Sequence, residues 1–234
     1  TFVEPYFLGR NLKARFQVWY NTTDQLNSDY NTRTVGFLTG LEFPVSDNGR
    51  LELRYKLSKD TLNGMDLAGV IDPDTGQQIG SSPILYYEQG GYFTSALGYT
   101  YTYDSKIAGL DPLTSYRLRF GQDFAGVGGD VKSITTTVYG GVESNAWRES
   151  VTLLAEFEAG AVHMLGDDHS RLLDRFTGNG KIRGFEPNGY GPRDLLAPNE
   201  DMLGGNYFWA LRTEAQFPLG LPEEYGITGG LFAD

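Results

Sequence analysis

Residues 50–57 read RLELRYKL, so Leu51, Leu53, Tyr55 and Leu57 alternate with Arg50, Glu52, Arg54 and Lys56. Successive side chains on a β-strand point to opposite faces, which gives this segment one apolar face and one charged face. The same period recurs along the chain. Leu12, Ala14, Phe16, Val18 and Tyr20 oppose Lys13, Arg15, Gln17 and Asn21; Tyr116, Leu118, Phe120 and Phe124 oppose Arg117, Arg119 and Asp123. Val151, Leu153, Ala155, Phe157 and Ala159 oppose Thr152, Glu156 and Glu158. A chain patterned this way sets one extensive dry surface against one wet surface.

Period-2 segments fall near residues 2–7, 11–22, 32–43, 49–58, 92–104, 115–125, 131–143, 150–165, 206–217 and 227–234, and most of them hold ten or more residues. Strands of globular proteins usually run about five or six residues, whereas a tilted membrane-spanning strand needs about nine to eleven. No run approaches the roughly 18 apolar residues of a spanning helix. A mean hydropathy of −0.35 excludes a helical membrane protein but not a barrel, because alternation halves the average.

The connections carry a second signal. With 105–114 set aside as modest, the longest are 23–31, 59–91 and 166–205, and all three share one parity in an up-and-down sheet. Long loops on one side and short turns on the other mark outer-membrane barrels, with the short 126–130 as the exception here. Aromatic clusters near strand ends (Trp19 and Tyr20; Tyr99, Tyr101 and Tyr103; Tyr207 and Trp209) suit membrane interfaces. The pattern predicts an all-β fold, an antiparallel up-and-down transmembrane β-barrel with about ten strands present. There is no internal repeat or linker, so residues 1–234 read as one domain. The alternative is a soluble, carbohydrate-binding β-sandwich, whose strands also alternate but are shorter.

Net charge −11 makes nucleic acid an unsuitable partner, and the absence of Cys removes thiolate metal sites. Asp72, Asp74 and Gly76 outline D-x-D-x-G, but the position that a calcium loop fills with Glu is Pro83, so an exposed turn is expected. His163, Asp167, Asp168 and His169 suggest a metal cluster only superficially, since His163 falls on the apolar parity of its strand. Glu156 and Glu158 share one face and have the range of a glycosidase pair, yet on a barrel strand they are two lumen residues. With two His and no G-x-S-x-G, H-E-x-x-H or P-loop, neither an enzyme nor a cofactor is expected.

The segment 166–205 exceeds the roughly 15 residues beyond which loops are usually functional or disordered. It carries Arg183 between Gly and aromatic residues, which suits a folded hairpin rather than a tether. The chain opens at Thr1 and stops at Asp234 in mid-pattern, and reads as an internal piece of something longer, with any targeting segment outside it.

Several stretches resemble one family in order along the whole chain. Glu4-Pro5-Tyr6-Phe7 is similar to an early periplasmic turn. Ile182-Arg183-Gly184-Phe185 followed by Gly191-Pro192-Arg193 resembles the [VI]-R-G-[FY] signature of a sixth extracellular loop. Leu203 to Asn206 resembles the approach to a twelfth strand, Glu214 to Pro218 its end, and Gly229 to Asp234 the thirteenth. The family is that of the BamA outer-membrane β-barrel assembly factors, in the superfamily that includes TamA and the two-partner-secretion translocators.

The resemblance implies a sixteen-stranded barrel of which strands four to thirteen are present. The first three strands, the last three and the periplasmic POTRA domains would lie outside the chain. It implies ATP-independent insertion of client β-barrel proteins into a Gram-negative outer membrane, with nascent outer-membrane proteins, accessory lipoproteins and outer-membrane lipid as partners. A TamA-like or secretion translocator is the alternative. It also implies that Arg183 meets acidic residues of the inner wall, at positions matching Glu214 and Asp234.

Overall fold

A computed structural model describes residues 1–24, 30–65, 70–71, 78–106, 113–146, 150–220 and 227–234. Ten strands form one sheet: β1 (Phe2–Glu4), β2 (Lys13–Asp24), β3 (Asn31–Pro44), β4 (Gly49–Asn63), β7 (Gly90–Asp104), β8 (Thr114–Ala125), β9 (Ser133–Ala146), β10 (Val151–Met164), β11 (Tyr207–Pro218) and β12 (Thr228–Ala233). Each is antiparallel to its neighbour in the sheet. A two-stranded ribbon, β5 (Val70–Ile71) with β6 (Gln78–Ile79), and a short helix, α1 (Pro83–Tyr87), lie in the connection between β4 and β7. Asp72 to Gly76, the D-x-D-x-G segment, lie outside the described residues. No described helix is long and apolar enough to cross a membrane.

The expected strands and the expected fold class both appear, with shifted ends. The first segment, read as 2–7, stops at Glu4. Pro5 has no N–H for the ladder, and a 3-10 turn over Phe7–Gly9 follows, with Leu8 in the left-handed region at φ 56°. β4 instead runs past its alternating stretch to Asn63, so it projects beyond the apolar band.

The outward face carries Val18 (63% exposed), Leu53, Leu97, Leu118 and Phe157, with Tyr207 and Trp209 at the long-loop end of β11. A contiguous apolar surface of this extent is unfavourable in water by about 25 cal/mol per Å² and matches a hydrocarbon band. The inward face is ionic: Lys13–Glu42 at 3.2 Å, Arg50–Glu42 at 3.5 Å, Arg15–Glu52 at 2.5 Å and Arg54–Asp123 at 2.9 Å. Trp19, expected at the interface, belongs to this inner face. It is paired with Gly36, where an added Cβ would come within 2.2 Å of the indole. The parity of β2 overrides the preference of tryptophan for headgroups.

The connections after β2, β4, β8 and β10 leave one end of the sheet, as an antiparallel meander requires. The small apolar core sits there. Tyr30, Leu62, Met65, Leu85 and Leu172 form it, with Leu203 packed against them. Ser82 caps α1 by accepting from the Ile84 N–H at 3.2 Å. Its own N–H donates to Asp201 at 2.7 Å and its hydroxyl to Asp194 at 2.6 Å. Glu88, at the other end of α1, accepts from the Leu172 N–H at 2.7 Å and pairs with Arg175. Two long connections, more than 80 residues apart in sequence, are thereby clamped together over one end of the sheet.

Candidate functional site on the inner wall

The connection between β10 and β11 contains no regular strand pair, so it is not the hairpin its composition suggested. Two isolated bridges, Phe176 with Gly205 and Arg193 with Met202, close it instead. Gly178, Gly180 and Gly184 adopt φ of 73°, 73° and 86°, which an L-side chain rarely tolerates, and they turn the chain on either side of Lys181-Ile182-Arg183. That tripeptide descends along the inner wall. Glu214, which it reaches, lies about 24 Å down β11 from Tyr207 at roughly 3.4 Å per residue.

At the bottom, Arg183 is forked. Its Nε donates to Asp234 Oδ2 at 2.7 Å, its Nη2 to Asp234 Oδ1 at 2.6 Å and its Nη1 to Glu214 Oε2 at 2.5 Å. The Arg183 backbone N–H also donates to Asp234, at 3.0 Å. The guanidinium lies 3.9 Å above the Phe232 ring. Planar geometry lets one arginine serve two carboxylates and a ring, which a lysine cannot do. The hydrogen bonds it donates to Asp234 and then to Glu214 raise the Arg183 pKa above its ordinary value, so it stays cationic. The Asp234 side chain retains only 3% exposure.

The structure thus brings together Arg183, Glu214 and Asp234, with Ile182 between the two descending cations. Gly184 and Phe185 turn away from the wall. Phe185 is 56% exposed and rests against Tyr190, ring centroids 5.0 Å apart. Gly191, Pro192 and Arg193 form the return path. Gly191 has φ 110°, the Pro192 carbonyl accepts from Leu203 N–H at 2.8 Å, and Arg193 donates to the carbonyls of Glu200 (3.0 Å) and Asn188. Asn188, buried with φ 57°, exchanges hydrogen bonds with Asn179 at 2.7 and 2.9 Å. His163 points outward from β10, and Asp167, Asp168 and His169 follow in the connection beyond it.

Other contributors were not singled out in the sequence. Arg212 on β11 donates to Glu156 at 3.1 Å and Glu158 at 3.5 Å, and Tyr139 on β9 donates to Glu156 at 2.6 Å. Lys181 pairs with Glu158. Parity marks Arg212, two residues before Glu214, and likewise Phe232, the ring beneath Arg183, two residues before Asp234.

An up-and-down sheet, apolar outside and ionic inside, with a long loop pinned to its inner wall, defines a class of membrane barrel. The chain belongs to the Omp85 superfamily, whose domain model matches residues 1–234. It is 30% identical over 222 residues, 94% of its length, to the outer membrane protein assembly factor BamA of Neorickettsia risticii, of which it covers 28%. It is 32% identical over 146 residues to a SAM50-like protein of Schizosaccharomyces pombe, covering 59% of this chain and 30% of that protein. A crystal structure of BamA from Haemophilus ducreyi lacking POTRA domains 1–3 shares the fold, with a TM-score of 0.74 over 98% of this chain and 47% of that one at 17% identity. The chain therefore spans about a third or less of these curated relatives.

Proposed function

We propose that the chain is the barrel wall of an outer-membrane assembly factor, which folds and inserts client β-barrel proteins without nucleotide or cofactor. The single observation that carries this reading is the inward loop, with Arg183 forked between Glu214 and Asp234. A scaffold that changes state can use that fixing to hold one state of the barrel. A relative named as an outer membrane protein assembly factor, and another named as a sorting and assembly machinery component, support the reading.

On this proposal the ten strands occupy positions four to thirteen of a sixteen-stranded barrel. The membrane is the outer membrane of a Gram-negative bacterium. Its partners are unfolded outer-membrane proteins, accessory lipoproteins and the surrounding lipid.

The test is client folding in liposomes containing the full-length protein, with no nucleotide added. An unfolded client barrel should acquire its heat-modifiable form faster than in empty liposomes. Equal rates would overturn the proposal.

A further inference from the structure

We infer that Lys181 and Glu158 form a second latch, distinct from the Arg183 fork, and that this latch positions Arg183. The inference rests on the assembly-factor reading only for its functional consequence. Lys181 and Arg183 alternate around Ile182 and engage different strands: Lys181 reaches Glu158 on β10, whereas Arg183 reaches Glu214 on β11 and Asp234 just beyond β12. Arg212 joins the two points. Its Nη1 donates to the Lys181 carbonyl at 3.3 Å, while Nε and Nη2 hold Glu156 and Glu158.

The charges explain the need for both latches. Four carboxylates, Glu156, Glu158, Glu214 and Asp234, meet three cations, Lys181, Arg183 and Arg212. Without Lys181, Glu158 keeps among the described residues only Arg212, at the long distance of 3.5 Å. The Lys181 ammonium also lies 5.6 Å from the Phe208 ring. Phe208 packs against Phe176 of the same loop, ring centroids 4.6 Å apart and planes tilted by 51°, over Gly160, where a Cβ would come within 2.6 Å of both rings. The latch therefore sits at the junction of a tilted aromatic pair and an ion network, one residue above Ile182. A loop fixed there delivers Arg183 to its fork with little remaining freedom.

The test uses the full-length protein in outer membranes with a cysteine at Ile182 (I182C), between the two latches. Its rate of thiol labelling reports docking independently of client assembly. Lys181→Glu should raise labelling about fivefold, the size expected of one partly exposed ion pair. The swap Lys181→Glu with Glu158→Lys should return the rate toward that of the parent, and Lys181→Arg should leave it unchanged. Unaltered labelling in Lys181→Glu, or no recovery in the swap, would overturn the latch. If labelling follows these expectations while the parent protein folds clients no faster than empty liposomes do, the latch stands and the assembly reading fails.

Discussion

Arg54 on β4 and Asp123 on β8 are joined by two hydrogen bonds of 2.9 Å, although β7 runs between their strands. Gly98 is the reason. It pairs with Arg54 on one side and Asp123 on the other, and a Cβ built on it would lie 2.0 Å from Asp123 Oδ1 and 2.9 Å from the Gln122 carbonyl. Gly40 plays the same part for Arg15 and Glu52, where the Cβ would be 2.7 Å from the carboxylate. Small residues on one strand thus let charges on the flanking strands meet across it.

Gly98→Ala should destabilise the barrel by about 1–3 kcal/mol through overpacking. The measurement is urea unfolding of the full-length protein in detergent. Adding Asp123→Ala should recover part of that loss, because the first clash disappears with the carboxylate. A neutral Gly98→Ala would show that the window is not required.

Leu53 is half exposed on the outward face of β4, within the apolar stretch that ends at Lys59. Leu53→Arg should cost about 2–4 kcal/mol if that face meets the hydrocarbon. Reversible unfolding in lipid bilayers checks it, and a near-zero change would place the face in water.

Glu88 is nearly buried where α1 meets the connection between β10 and β11. Its loss leaves the Leu172 N–H and the Arg175 guanidinium without their acceptor. Glu88→Ala should weaken the clamp locally by about 1–3 kcal/mol. Protease added outside the membrane should then cut the two long connections faster while the strands stay protected.

Much of the wall was legible in the sequence, because a period of two is a local property that every spanning strand must show. The parity that placed Arg50, Glu52 and Arg54 inside also placed Glu214 inside. What was not legible depends on partners far apart in sequence. The clamp of Ser82 on Asp194 and Asp201 joins residues separated by more than 110 positions through short irregular segments with no period of their own. Trp19 follows the parity of β2 rather than the interfacial preference of its residue type. An isolated lysine in a loop carries no signal of its own, and the role of Lys181 depends on Glu158 standing opposite it in the fold.

Docking of Arg183 onto Glu214 and Asp234 is expected to be needed for client insertion, and the rate of client folding by the reconstituted full-length protein tests this most directly. Arg183→Ala and Arg183→Lys should each lower that rate about tenfold or more, since charge-assisted hydrogen bonds are lost and lysine cannot span both carboxylates. The double variant Glu214→Gln with Asp234→Asn should match them. Wild-type rates in Arg183→Ala, with the barrel folded and the loop released from the wall, would contradict the account.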